Sequence, residues 1–326
     1  MSNQHESTPA PELHGNGAVE SDDGINRRDF LSCMAWAGAG LVWTVCGGVP
    51  TSRLFAAAGQ SARSKTGAEF SFIQVSDSHI GFNKAANQDV SGTLKLAIDK
   101  INALDGEHDL LLHTGDITHS SRAAEFDTAQ QIVRGAKVGE MFYVPGEHDI
   151  SDDGVLYLER FGKGTSGTGW YSFTHKGVHF IGLNNSQQLD QLGSLGADQL
   201  AWLKNDLGGL SSSTPIIVFA HIPLWMVYPD WGWGTQDGAE ALSYLKRFGS
   251  VTVLNGHIHQ VVQKVEGNVA FHTATSTAFP QPGPGAAPNP GPMVVPADRL
   301  RSVLGITGVK FISKRSHLAV VDSSLD

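Results

Sequence analysis

The sequence contains few cysteines and little charge. Of its 326 residues only two are cysteines, Cys33 and Cys46, and both lie near the N-terminus. Residues 59–326 contain none, which excludes disulfides and thiolate metal ligands from that part of the chain. Charged residues make up 17%, and the net charge is −9. Binding a nucleic acid duplex through its phosphates needs clustered Lys and Arg, so this class of partner is not expected.

Histidine, by contrast, is abundant, with 14 residues in the chain. Imidazole is the commonest metal ligand and proton shuttle in proteins, so this count points first to metal binding or proton transfer. Hydrophobic residues form 40% of the sequence, which is enough for a sizeable folded core. The length suggests one large domain or two small ones.

Residues 1–58 have the organisation of a targeting segment. The pair Arg27-Arg28 precedes 23 uncharged residues from Phe30 to Ser52, and alanines follow at 56–58. A paired-arginine region, an apolar region and a small-residue cleavage site, in this order, predict a twin-arginine signal peptide. We expect recognition by the twin-arginine translocase, cleavage near Ala58 and a periplasmic or other extracytoplasmic location. The alternative is an uncleaved helical anchor, because a stretch of this length could span a bilayer.

After a Ser/Gly/Lys linker at 59–68, strand-like apolar runs alternate with helix-period segments, which predicts one α/β domain at 69–326. Strands are expected at 70–75, 110–112, 141–144, 170–173, 178–183, 216–220, 251–254, 261–265, 269–273 and 318–321. Helices are expected at 90–104, 123–133, 197–207 and 239–248. Turn dipeptides at 176–177 and 267–268 predict two hairpins. Seven prolines and three glycines predict an irregular loop at 280–296.

Five polar motifs directly follow strand-like runs. They are Asp77-Ser78-His79, Gly115-Asp116, Gly146-Glu147-His148-Asp149, His221 and Gly256-His257-Ile258-His259. In open α/β sheets, ligands gather outside the carboxyl ends of the strands, so the carboxylates of Asp77, Asp116 and Glu147 and five imidazoles are expected at one rim. Oxygen and nitrogen donors without sulfur suit Fe, Mn or Zn, and a bridging carboxylate could hold two such ions ~3.5–4 Å apart.

The order, spacing and strand context of these motifs resemble the calcineurin-like metallophosphoesterases, most of all their bacterial cyclic-nucleotide phosphodiesterase branch. The resemblance covers residues 69 to about 280. It implies a four-layer αββα sandwich of two mixed β-sheets flanked by helices. It also implies a dinuclear metal site at the carboxyl ends of the strands.

The resemblance also assigns roles to individual residues. It implies a first metal site formed by Asp77, His79, Asp116 and His259. It implies a second site in which the bridging Asp116 is joined by Glu147, His221 and His257. His148 would bind no metal but would stabilise the transferring phosphoryl group or protonate the leaving oxygen. The implied activity is hydrolysis of a small-molecule phosphoester by a metal-bridging hydroxide.

Glu147 departs from the family pattern, which usually has Asn between this Gly and His. A glutamate can still bind metal, but it adds negative charge beside Asp77 and Asp116. That charge should weaken attraction for a phosphate and raise the pKa of the bridging water. A dianionic monoester suffers more than a monoanionic diester, so diesters are the favoured substrates. The alternative is a dimetal-binding protein with little hydrolytic activity.

Other residues near the motifs have less defined roles. His113 and His119 flank Gly115-Asp116, and both are more simply explained as structural or surface residues. The alternative for His119 is that it contacts a metal ligand without binding metal itself. His272 could support a ligand. The aromatic segment Trp225–Trp233 could line a substrate cleft, or it could pack over the domain or against a second subunit.

Overall fold

The computed structural model describes residues 42–46, 49–53, 69–187, 191–312 and 317–326. Most of the predicted signal, its cleavage site near Ala58 and the predicted linker lie outside these residues. Within residues 1–58, strand β1 (Val42–Cys46) pairs antiparallel with β2 (Val49–Arg53). In the described part of the chain, no helix is both long and apolar enough to cross a membrane.

The first large sheet has five strands. Their spatial order is β13 (His317–Ser324), β12 (Gly305–Ile312), β3 (Glu69–Val75), β4 (His108–Thr114) and β5 (Val138–Val144). Strands β3, β4 and β5 run parallel, whereas β12 pairs antiparallel with both β3 and β13. The sheet is therefore mixed, and three of its strands end at the same edge.

The second large sheet has six strands. Their spatial order is β10 (Gln263–Glu266), β11 (Val269–Thr273), β9 (Val251–Asn255), β8 (Ile216–Phe219), β7 (Val178–Gly182) and β6 (Tyr171–His175). The hairpins β6–β7 and β10–β11 are antiparallel, and the four central strands are parallel to one another. Both predicted hairpins are thus confirmed, as is the mixed character of the sheets.

Helices cover the outer faces of the two sheets. They are α1 (Val90–Ala103), α2 (Ala123–Val133), α3 (Val155–Phe161), α4 (Ala197–Gly208), α5 (Gly238–Leu245) and α6 (Leu300–Val303). The strand β3 shows how the layers form. Its Phe70 and Phe72 join the apolar core between the sheets, whereas Ile73 and Val75 face the core beneath α1 and α2. Alternating side chains of a buried strand point to opposite faces, so both faces must be apolar.

The predicted αββα sandwich is confirmed. A second helix-facing core, with Leu203 and Leu245 from α4 and α5, lies on the far side of the six-stranded sheet. The segment 280–296 contains no helix or strand, as its prolines predict. Five elements were not predicted: the short helices α3 and α6, and the strands β1, β2 and β12. Of these, β12 pairs with β3 in the five-stranded sheet.

Candidate metal centre

The predicted ligands all lie in short segments that follow parallel strands. Asp77 and His79 follow β3, and Asp116 follows β4. The 3-10 turn Glu147–Asp149 follows β5, His221 follows β8, and His257 and His259 follow β9. Because these strands come from both sheets, the site lies where the carboxyl edges of the two sheets meet.

Three donors form a first group that could hold one cation: Asp77, His79 and His259. The Nε2 atoms of His79 and His259 lie 3.2 Å apart, and Nε2 of His259 lies 3.3 Å from Oδ1 of Asp77. All three residues are buried. This group matches the predicted first metal site apart from the shared carboxylate.

A second group consists of Glu147, His221 and His257. Glu147 reaches both imidazoles, with Oε2 3.0 Å from Nε2 of His221 and Oε1 3.0 Å from Nδ1 of His257. The side chain of Glu147 is 23% exposed and that of His257 is 12% exposed, whereas His221 is fully buried. This side of the site therefore opens to solvent, and a substrate can approach it here.

Asp116 lies between the two groups. Its Oδ2 is 3.4 Å from Nε2 of His79 and 3.4 Å from Nε2 of His221. Its Oδ1 accepts a hydrogen bond from the backbone N–H of His148. One oxygen is thus fixed by the protein, and the other faces both donor groups, as a bridging carboxylate requires.

The backbone around the donors is strained. Five of the seven predicted ligands have positive φ angles, from 41° to 70°: Asp77, His79, Asp116, His257 and His259. Such conformations cost on the order of 1–3 kcal/mol each and cluster at functional sites. Glycines permit the close approach, since a Cβ at Gly146 would overlap the Asp116 carboxylate and one at Gly256 would overlap Ser76.

Backbone carbonyls orient two of the imidazoles. Nδ1 of His221 donates to the carbonyl of Thr114 at 2.7 Å, and Nδ1 of His259 donates to the carbonyl of Phe279 at 2.6 Å. In a neutral ring the proton on Nδ1 leaves a lone pair on Nε2. The Nε2 lone pairs of both rings therefore point into the site.

Protons and metal ions compete for these atoms. Burial lowers the pKa of His221, but the carboxylates of Asp116 and Glu147 outweigh burial and raise this pKa well above its usual value. Burial raises the pKa of Glu147, yet His257 and His221 bring it well below its usual value. Metal binding needs an ionised carboxylate and a deprotonated ring nitrogen. At neutral pH the Glu147 carboxylate is already ionised, whereas the His221 imidazole must lose a proton before it can bind metal.

Comparison with known proteins identifies this arrangement. Residues 70–261 match the model of the calcineurin-like phosphoesterase family. The chain belongs to that family. A 3′,5′-cyclic-nucleotide phosphodiesterase of Nostoc sp. is 30% identical over 217 residues, which are 64% of this chain and 79% of the relative. A probable glycerophosphodiester phosphodiesterase of Arcobacter nitrofigilis is 25% identical over 221 residues, which cover 63% and 77%.

Solved structures with the same fold support the architecture. A purple acid phosphatase from yellow lupin aligns with a TM-score of 0.58 at 14% identity, over 80% of this chain and 52% of the lupin chain. A dimetal phosphatase from Danio rerio aligns with a TM-score of 0.52 at 14% identity, over 78% of this chain and 99% of the Danio rerio chain. The chain thus spans about half of the lupin protein. Family membership makes this calcineurin-like phosphoesterase a hydrolase of phosphoric esters.

The donor set fits the two metal ions that the family uses. All donors are carboxylate oxygens or imidazole nitrogens, a set that suits Fe, Mn or Zn. The contact between Nε2 of His221 and Oε2 of Glu147 is a contact between two electron-pair donors when His221 is neutral. Such a pair is stable only when a cation or a proton lies between its members.

Three supporting residues were given no role by the sequence analysis. The carboxylate of Asp149 accepts hydrogen bonds from the backbone on both sides of the site, and burial together with Asp116 raises its pKa to about 6. Ser276 Oγ donates to the carbonyl of Asp77 at 2.7 Å. The ring of Phe279 packs against His79 and His259, with centroids 4.8 Å from each. Contacts to backbone atoms leave no pattern in a sequence.

Other candidate residues have structural contacts. His113 is buried beneath the site, where its Nε2 lies 3.0 Å from Oγ of Ser78. The suggestion that His272 supports a ligand is wrong, because its Nε2 faces Asp322 of β13 at 3.1 Å and its Nδ1 faces Gln263 of β10. The contact with Asp322 joins β11 of the six-stranded sheet to β13 of the five-stranded sheet.

The aromatic segment 225–233 packs mainly onto the domain. Trp225 and Trp233 are buried, and the ring of Trp225 lies 4.7 Å from that of Phe271 in β11. Tyr228 and Trp231 are partly exposed and contact each other edge to face at 5.2 Å. Packing therefore explains two of its four aromatic side chains.

Proposed function

We propose that this protein hydrolyses phosphodiesters with two metal ions, one held by Asp77, His79, Asp116 and His259 and the other by Asp116, Glu147, His221 and His257. The observation that carries the proposal is the position of Asp116, whose Oδ2 lies 3.4 Å from a histidine of each donor group. When bound, the two cations supply the activated water and neutralise charge on the phosphoryl oxygens.

His148 is the proposed proton donor to the leaving oxygen. Its Nδ1 donates to the carbonyl of His119 at 2.8 Å, so Nε2 is the nitrogen left for the substrate. Burial lowers its pKa, but the charges of Asp116 and Glu147 outweigh burial and raise the pKa above its usual value. At neutral pH this keeps a proton available beside the open side of the site, as a general acid needs.

Glu147 supports the choice of diesters. It adds a third carboxylate to a site that already contains Asp77 and Asp116. Added negative charge repels a dianionic monoester more than a monoanionic diester. The relatives named as a cyclic-nucleotide and a glycerophosphodiester phosphodiesterase support the same class of substrate.

The test pairs metal analysis with a substrate panel. Protein loaded with Mn, Zn or Fe is assayed on bis(p-nitrophenyl) phosphate, on a 3′,5′-cyclic nucleotide and on p-nitrophenyl phosphate. We expect two metal ions per chain and faster turnover of the diesters. A second candidate, a dimetal-binding protein with little hydrolytic activity, is favoured by the tight pairing of Glu147 with His221 and His257. Fully loaded protein that cleaves no phosphoester would support that candidate instead.

The proposal includes export by the twin-arginine translocase, on the strength of Arg27-Arg28 and the uncharged stretch that follows. This route carries folded proteins, so metal could be inserted before export. The expected location is the periplasm or another extracytoplasmic compartment.

A further inference from the structure

The ring of His119 contacts two residues of the site from outside the metal ligands. Its Nδ1 lies 3.4 Å from Nδ1 of His79. The ring also stacks on His148, with centroids 4.7 Å apart and planes inclined by 18°, and it meets Phe82 edge to face at 5.1 Å. His119 is half-buried, three residues after Asp116.

The contact with His79 involves the nitrogen that does not face the metals. Nε2 of His79 points to the first donor group, where it lies 3.2 Å from Nε2 of His259 and 3.4 Å from Oδ2 of Asp116. A neutral imidazole that binds a cation through Nε2 carries its proton on Nδ1. That N–H points at Nδ1 of His119, which can accept it when the His119 proton is on Nε2.

We propose that His119 is a positioning residue for the first metal: it accepts the Nδ1 proton of His79 and so fixes the ring and tautomer of this ligand. The inference rests on the proposed metal assignment and deepens it. Metal-bound histidines usually donate their second N–H to a carboxylate, carbonyl or water, and such partners strengthen binding. His221 and His259 have backbone carbonyls in this role, which no side-chain change removes. His79 differs from them because its Nδ1 faces a side chain, that of His119.

The backbone holds His119 in place for this task. Its N–H donates to the carbonyl of Ile80 at 2.9 Å, so the residue is tied to the segment that carries His79. On its other side, the carboxylate of Glu125 accepts a hydrogen bond from the N–H of Ser120 at 2.9 Å. The backbone of His119 therefore cannot move away from His79 without breaking these hydrogen bonds.

Two substitutions distinguish the effect of the hydrogen-bond acceptor on His119 from the effect of its size. In His119→Asn, the amide oxygen can occupy the position of Nδ1 and accept the proton. In His119→Leu, an apolar group of similar size remains without an acceptor. Zinc affinity is measured for each of the two ions by competition with a chelator, and His175→Leu is the matched control. His175 pairs with Asp109 and packs on Phe70, outside the donor groups.

We expect His119→Leu to lower the affinity for one of the two zinc ions by about 10–100-fold. His119→Asn and His175→Leu should bind both ions with the affinities of wild type. Unchanged affinity in His119→Leu overturns the inference, and so does an equal loss in His119→Asn. If wild-type protein binds fewer than two ions, the proposed dinuclear metal centre is refuted. If wild type binds two ions and His119→Leu binds them equally well, only the role of His119 is refuted.

A spectroscopic measurement on wild type makes the test independent of whether the variants fold. In nitrogen-15 spectra of the zinc-loaded protein, Nδ1 of His79 should carry a proton that exchanges slowly with water. Exchange as fast as that of an exposed histidine would show that no acceptor holds this proton, and the inference would fail.

Discussion

Asp149 accepts two hydrogen bonds from Thr118, one from its backbone N–H and one from its hydroxyl, each 2.8 Å long. The same buried carboxylate accepts the N–H groups of Ile117 and Gly146 at 3.0 Å. Asp149 therefore joins the segment after β4, which carries Asp116, to the segment after β5, which carries Glu147. This side chain therefore helps to hold Asp116 and Glu147 at their spacing.

Replacing Asp149 by Ala should destabilise the fold. Three buried backbone N–H groups lose their acceptor, and each unpartnered group costs about 1–3 kcal/mol. We expect the free energy of unfolding in urea to fall by about 3 kcal/mol or more. Asp127→Ala is the control, because its exposed ion pair with Arg160 should contribute about 0–1 kcal/mol. Similar losses in the two variants would contradict the role given to Asp149.

Asp116→Asn should cost more metal than any other single ligand change. The neutral amide of Asn lacks the negative charge with which the Asp116 carboxylate faces both donor groups. In our assignment every other ligand binds only one ion. We expect metal analysis after purification to show fewer bound ions than in His79→Ala or His257→Ala. Asp109→Asn, a change on β4 outside the donor groups, should keep both ions. Full metal content in Asp116→Asn would mean that this carboxylate does not bridge.

His148→Ala should keep both metals and lose turnover. Loss of a positioned proton donor typically slows a reaction by about 10²–10⁴-fold. We expect kcat on a diester to fall in this range while metal content stays at the wild-type value. A phenolic leaving group of low pKa needs less protonation, so it should show a smaller loss than an alkyl leaving group. Release of metal from His148→Ala would place this residue among the ligands.

Glu147→Asn should increase activity, most of all on monoesters. The change restores the residue usual in the family and removes one negative charge from the site. We expect both metals to remain bound and monoester turnover to rise by about tenfold, which corresponds to ~1.4 kcal/mol in the barrier. The activated water should ionise more readily, so the pH optimum should move down by about one unit.

Glu147→Asp is the matched control, because it keeps the charge and should bring no gain. Loss of the second metal together with all activity in Glu147→Asn would show that this position needs a carboxylate, and the charge argument would be wrong. Diester activity of wild type is measured in parallel, because the alternative without hydrolysis also predicts a gain from a low starting level.

Export should depend on the paired arginines. We expect Arg27→Lys/Arg28→Lys protein to stay in the cytoplasm, because the twin-arginine pathway distinguishes arginine from lysine at this pair. Arg53→Lys, which alters the arginine after the uncharged stretch, should be exported like wild type. Cell fractionation measures both. Double-lysine protein outside the inner membrane would refute a twin-arginine signal.

The sequence predicted the elements whose patterns are regular. The helix Ala123–Val133 has the predicted bounds, and the strands that carry the ligands lie where apolar runs precede polar motifs. The strand Gly305–Ile312 was not predicted, because Gly305 and Gly308 interrupt its apolar pattern and glycine is depleted in strands. It forms because β3 and β13 supply hydrogen-bonding partners on both sides.

The sequence predicted which residues would lie close together at the candidate site, but only partly how they are arranged. All seven predicted ligands and His148 fall into donor groups, since each follows a strand that ends at the same edge. The roles of Asp149, Phe279 and His119 depend on backbone carbonyls, backbone N–H groups and ring positions. These are set by tertiary packing, and no spacing along the chain reports them.

The hydrogen bond from Ser276 to the carbonyl of Asp77 spans 199 residues of the chain. A protein leaves the ribosome N-terminus first, so the earliest ligand is synthesised long before the serine that fixes its backbone. The N–H of Gly305, the first residue of β12, in turn donates to the carbonyl of Ser276, and β12 pairs with β3. Contacts this distant in sequence form slowly, because a long loop must close first. A metal ion that reached the nascent chain early would meet separate aspartates and histidines, and a complete site would exist only at the end of translation.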